Sequence, residues 1–112
     1  MHFSRSEFKC SCNNCNYDTV DFELLNILNT LREFFDKPVK VTSGNRCPAH
    51  NASIGGATNS LHIQGRAADI QVKDTSPEEV QAYILNEYPD KLGIGCYASF
   101  THIDTRTGKA RW

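Results

Sequence analysis

The chain has 112 residues, 39% of them hydrophobic, and its 12 Lys and Arg against 13 Asp and Glu give a formal net charge of -1 at pH 7. That length suits one domain with a modest core and excludes two, and the balanced charge excludes a general attraction to nucleic acid or to an anionic membrane. Met1 to Glu7 hold no apolar run and no stretch approaches the roughly 18 apolar residues of a membrane span, so neither a signal peptide nor a span is expected; the chain is also expected to be a monomer.

Taken in chain order, residues 1–17 lack sustained periodicity and are rich in turn formers (Ser11, Asn13, Asn14, Asn16), which predicts an irregular arm anchored by Phe3 and Phe8. From Asp18 the pattern changes. Val20, Leu24, Ile27, Leu28, Leu31 and Phe35 follow helical spacing, Asp18 or Thr19 can cap the start and Lys37-Pro38 stops it, so a core helix is expected over roughly 18–36. Val39 to Thr42 alternates as a short strand and runs into a turn cluster, Ser43 to Pro48, that places Arg46 at a strand end.

His50 to Ile54 is expected to make one or two helical turns, closed by Gly55-Gly56, before a loop that leads to a strand over Arg66 to Val72. Ser76-Pro77-Glu78-Glu79 is a helix start, with Ser76 as cap, Pro77 in the first helical position and Glu79 closing a capping box. That helix should continue through Val80, Tyr83, Ile84 and Tyr88 to Pro89. Leu92 to Tyr97, Ser99 to Asp104 and Lys109 to Trp112 read as three strands of a β-meander joined by tight turns. The expected fold class is α+β, a mainly antiparallel sheet with helices packed on it, as a single domain over 1–112.

Five cysteines are an odd count, which cannot be fully paired within one molecule. Cys10, Cys12 and Cys15 form C-x-C-x2-C, with Cys47 and Cys96 distant. Three readings stay open: a structural zinc cluster of Cys10, Cys12, Cys15 and Cys47; a disulfide from this segment to Cys47 or Cys96; or thiols packed as small apolar groups.

The chemistry concentrates in Ser60 to Asp69 and Phe100 to Asp104. His62 and Asp69 are seven apart around Gly65, so a loop and a strand start can deliver them to one place. His102 and Asp104, at i and i+2 in a strand, share one face of the sheet. His62, Asp69 and His102 are a donor set for one zinc ion with a position left for water. Taken singly, a loop histidine is more often solvated than metal-bound, and an aspartate opening a strand is often a turn cap.

The strings Ser43 to Asn51, Gly55-Gly56-Ala57, Ser60-Leu61-His62 through Asp69, Gly95-Cys96-Tyr97, Phe100 to Asp104 and Ala110-Arg111-Trp112 resemble the zinc D-alanyl-D-alanine carboxypeptidase family, above all its small single-domain bacterial and phage members. The resemblance implies a fold shared with the lysostaphin-like and hedgehog zinc domains. It also implies hydrolysis of peptidoglycan stem or cross-bridge peptides at a bond involving a D-amino acid. It assigns His62, Asp69 and His102 as zinc ligands, and Arg46 and Ser60 as residues that hold substrate. A structural ion pair is the alternative for Arg46, and turn capping for Ser60. His50 is a further candidate substrate contact, with loop packing as its alternative. The implied location is cytoplasmic until release to the cell wall, or on a virion.

One position departs from the pattern. Where better-known members carry an acidic general base, three residues before the last histidine, this chain has Ser99, and Asp104 is the candidate replacement. The rival role for Asp104 is to accept the free imidazole N–H of a zinc histidine. The missing acid also leaves room for a catalytically inactive zinc-containing module that only binds peptidoglycan or a partner.

Overall fold

The computed structural model describes residues 3, 5–10, 20–56 and 60–112. Among the expected features, the caps Asp18 and Thr19, the turn formers of the arm and the cysteines Cys12 and Cys15 lie outside them. A single 3₁₀ turn, Arg5–Phe8, seats the Phe8 ring in the core. Helix α1 (Phe22–Phe35) begins later than the periodicity suggests, at a cap formed by Asp21, whose Oδ2 accepts from Leu24 N–H at 3.3 Å. Two distant segments hold that cap. The Asp21 N–H donates to Gly65 O at 2.8 Å, and Thr105 Oγ1 donates to Asp21 Oδ2 at 3.1 Å. The helix ends at Asp36, left-handed with φ 51°, ahead of Pro38.

Strand β1 (Val39–Ser43) is followed by a short helix α2 (Pro48–Ser53), strand β2 (Ala67–Val72), helix α3 (Pro77–Glu87), and strands β3 (Leu92–Cys96), β4 (Thr101–Asp104) and β5 (Lys109–Arg111). Helix α3 starts as its sequence predicts, with Ser76 Oγ accepting from Glu79 N–H at 3.2 Å. The strands form one sheet in the order β1-β2-β4-β3-β5, antiparallel throughout except for β3 and β5. This corrects the expected meander. β4 already has β2 on its other edge, so the last strand passes across the start of β3 and pairs with it in parallel, Gly93 facing Asp104 on one side and Ala110 on the other.

Alternation along the strands separates two faces. Ala68, Ile70, Val72, Leu92, Ile94 and Ile103 join Leu24, Ile27, Leu28 and Leu31 of α1 and Val80 and Ile84 of α3 in one buried cluster. Each leucine, isoleucine or valine among them gains about 1.5–3 kcal/mol from leaving water, enough to fix which face of each strand turns inward. The residues between them, Asp69, His102, Asp104, Gly93 and Gly95, therefore fall on the opposite face.

Candidate metal centre

β2 and β4 are paired so that Asp69 lies directly opposite His102, although 33 residues separate them in sequence. Asp69 Oδ1 is 2.9 Å from His102 Nδ1 and 3.4 Å from His62 Nε2. Potential ligand atoms of these three residues all lie within 4.8 Å of one another. His62 is buried, and the side chains of Asp69 and His102 are 13% and 12% exposed, so the group opens to solvent on one side.

His62 reaches this place from a turn. Ser60 Oγ accepts the His62 N–H at 3.2 Å, Gly65 takes the left-handed conformation (φ 69°) and Arg46 N–H donates to His62 O at 2.9 Å. The buried Asn45 amide donates to the carbonyls of His62 and Ile63 at 2.9 and 3.2 Å. His62 Nδ1 is 2.8 Å from Gly44 O, and a carbonyl only accepts, so Nδ1 carries a proton and Nε2 is the nitrogen turned towards Asp69. His102 repeats the arrangement in mirror order. Its Nε2 is 2.8 Å from Asp104 Oδ2, which leaves Nδ1 for the side where Asp69 and His62 converge. Two imidazole nitrogens and a carboxylate oxygen, each oriented by a partner behind it, are a donor set that fits one zinc ion.

Asp104 has no exposed side-chain surface. Oδ1 accepts from Gly93 N–H (3.1 Å), Arg106 N–H (3.2 Å) and Arg106 Nε (2.8 Å), and Oδ2 accepts from Arg106 Nη2 (2.7 Å) as well as facing His102. A side chain at Gly93 would collide with Asp104 and Arg106, so glycine makes room for this enclosure. Burial alone would raise the Asp104 pKa, but the bonds from Arg106 and His102 hold it well below the usual carboxylate range. Asp69 is likewise held low, burial being outweighed by His102 and His62. For His102 burial works against the imidazolium, and the two carboxylates outweigh it and raise the pKa.

Arg46 stands behind Asp69. Its Nη2 is 3.4 Å from Asp69 Oδ2, while Nε and Nη1 donate to Ser43 Oγ at 3.1 Å and Asn51 Oδ1 at 3.2 Å. On the other side of the group the Trp112 ring lies 5.0 Å from the His102 ring, held by Trp112 Nε1–H donating to Tyr97 OH at 2.8 Å and by Arg106 stacked over it at 4.9 Å. Ser60 caps the His62 turn, His50 sits on α2 and is not one of the grouped ligands, and Ser99 is exposed, its carbonyl accepting from Gln71 Nε2 at 2.8 Å.

A sequence model of peptidase M15 matches residues 1–104. The chain belongs to the peptidase M15 family. Over 35 residues, 31% of its length, it is 49% identical to the zinc D-Ala-D-Ala carboxypeptidase of Streptomyces albus G, and that match spans only 14% of the relative. In this peptidase-family chain the His-Asp-His group could hold one metal ion.

Sequence reasoning about this M15 chain missed Arg106, Asn45 and Trp112. Arg106 follows the His102-x-Asp104 motif by two residues, so an H-x-D-x-R pattern was the available signal. Asn45 and Trp112 stood within strings that carry the resemblance, but as a turn former and a terminal strand residue they had no role of their own. Among the described residues no helix is long and apolar enough to cross a membrane.

Proposed function

We propose that the chain is a zinc-dependent peptidase that hydrolyses peptide bonds involving D-amino acids in peptidoglycan. The observation that carries this reading is the convergence of His62 Nε2, Asp69 Oδ1 and His102 Nδ1, with the opposite nitrogen of each ring already committed to a carbonyl or a carboxylate. His62, Asp69 and His102 would hold the ion, which when bound supplies Lewis-acid polarisation of a peptide carbonyl and lowers the pKa of a water towards neutrality.

The protein's own groups do the rest. Gly44 O and Asp104 keep a proton on the outer nitrogen of each ring, so both imidazoles offer a lone pair inward. Arg46 compensates the Asp69 charge and has N–H groups left for a peptide carbonyl or carboxylate. Ser60 sets the His62 turn, and Trp112 gives one wall of the opening an apolar surface. Asp104 acts through His102, as a positioning residue, because the imidazole stands between it and Asp69.

One feature favours a second reading. Asp104 is enclosed and Ser99 is a serine, so a carboxylate able to take a proton at the open side is not supplied by either, as expected of a zinc-containing module that binds peptidoglycan without cutting it. Digestion of purified peptidoglycan, cross-linked and uncross-linked, with mass spectrometry of the released peptides separates the two. The hydrolase reading expects release by the wild type and none by His62→Ala, and the peptide masses give the bond cut. A wild type that binds zinc and releases nothing from either substrate supports the binding module instead.

A further inference from the structure

Two arginines border the metal group, and they are placed differently. Arg46 is enclosed: its side chain is 13% exposed, and all three guanidinium nitrogens meet a protein oxygen, on Ser43, Asn51 and Asp69. Arg106 stands at the rim. Its side chain is 36% exposed, Nε and Nη2 bond the buried Asp104, and Nη1 has no partner among the described residues.

That third nitrogen is held in a fixed direction. Two bonds to one carboxylate set the plane of the guanidinium, and the Trp112 ring lies against it at 4.9 Å. Trp112 is itself fixed. Its N–H donates to Ile94 O at 3.1 Å and its carbonyl accepts from Cys96 N–H at 2.7 Å. Gly95 leaves room for the indole, since a side chain there would come within 2.7 Å of Trp112 Nε1. A guanidinium ordered in advance loses less entropy when its outward N–H groups bind a carboxylate.

Reach and charge point the same way. From His102 Nδ1, which faces Asp69, the path crosses the imidazole to Nε2, then runs 2.8 Å to Asp104 Oδ2 and 2.7 Å to Arg106 Nη2. About two residues of extended peptide, at roughly 3.3–3.6 Å each, span it. Around the opening Arg46 and Arg106 balance Asp69 and Asp104, so a divalent ion on His62, Asp69 and His102 would leave a net positive site that favours an anionic group.

We propose that Arg106, backed by Trp112, is a specificity-determining residue that binds a carboxylate of the peptide within about two residues of the bond at the metal. The proposal rests on the peptidoglycan reading above and narrows it to stem peptides with a free carboxylate at that place. Two groups offer this chemistry: the C-terminal carboxylate of the stem, and the free carboxyl of an acidic D-residue within it. Arg46 keeps the inner place beside Asp69, and Arg106 takes the outer one.

Synthetic stem peptides ending in D-Ala-D-Ala test this, with the C-terminus and the acidic residue each made as free acid or as carboxamide. Zinc-loaded protein is compared by kcat/KM where a peptide is cut and by calorimetric Kd where it is bound uncut. Preference without release is then a failure of the hydrolase reading alone, and release without preference a failure of this inference alone. The wild type should favour the free acid about tenfold or more at one of the two positions, which identifies the carboxylate, and Arg106→Gln should bring that ratio to about one. A residue that only held Asp104 would, when replaced, weaken acid and amide peptides alike, so an unchanged ratio in Arg106→Gln overturns the proposal. Equal handling of acid and amide at both positions by the wild type overturns it too, as does binding of none of the peptides. Should Arg106→Gln fail to fold, Arg106→Lys keeps a cation beside Asp104 but loses the fork, and its ratio should fall below that of the wild type; a ratio kept in full there also overturns the proposal.

Discussion

The two faces of the sheet are made of alternate residues from the same strands, yet they are held by opposite means. The helix-covered face is apolar, with Ile70, Ile94 and Ile103 at 1% exposure or less. The other face carries two carboxylates, Asp69 and Asp104, each flanked by a histidine and an arginine. On the first face non-directional burial suffices. On the second every carboxylate must find its partners, because an unpaired buried charge costs several kcal/mol. A strand that satisfies the first face with every second residue delivers the second with the residues between, so the core sets the register that brings Asp69 opposite His102.

Breaking the polar face should remove function and spare the fold. His62→Ala or His102→Ala is expected to abolish high-affinity metal binding at this group and to reduce peptide release by about a thousandfold or more, since metal-assisted charge stabilisation is worth several kcal/mol. Circular dichroism should stay native, and calorimetric metal titration reads the loss. Breaking the apolar face should do the reverse. Ile103→Ala is expected to lower unfolding stability by about 2–5 kcal/mol in urea titration, with metal affinity and turnover of the folded fraction retained.

Asp104→Asn sharpens the comparison where the faces meet. As a positioning residue Asp104 should be worth about 10–100-fold in metal affinity, and activity should return at saturating zinc. Full metal occupancy with no recovery would make Asp104 the general base instead. The smallest effect is expected at a helix cap remote from the site, where Ser76→Ala should cost about 1 kcal/mol of stability and leave metal binding untouched.

The legible parts of the sequence were those governed by local rules. The α3 cap at Ser76, the strand alternation around Ile70 and Ile103 and the placing of His102 and Asp104 on one face all follow from neighbours a few residues apart. The start of α1 did not, because Asp21 is made the cap by Gly65 and Thr105, which come from elsewhere in the chain. Nor did the parallel pairing of β5, which depends on β2 already occupying one edge of β4. The candidate ligands were legible as a donor set, but their orienting partners were not. Gly44 O, Asn45 and Arg106 acquire their roles only when the sheet is assembled, and the enclosure of Asp104 by Arg106 is what separates a ring-holding carboxylate from a free one.

The most direct test of the catalytic reading is peptide release from peptidoglycan by metal-stripped protein as zinc is added back, with binding to the His62, Asp69 and His102 group followed in parallel. Release should be absent without zinc, rise in step with occupancy of that group, and stay absent in His62→Ala at every zinc concentration. Release by the stripped protein, or full occupancy with no release, would contradict the account.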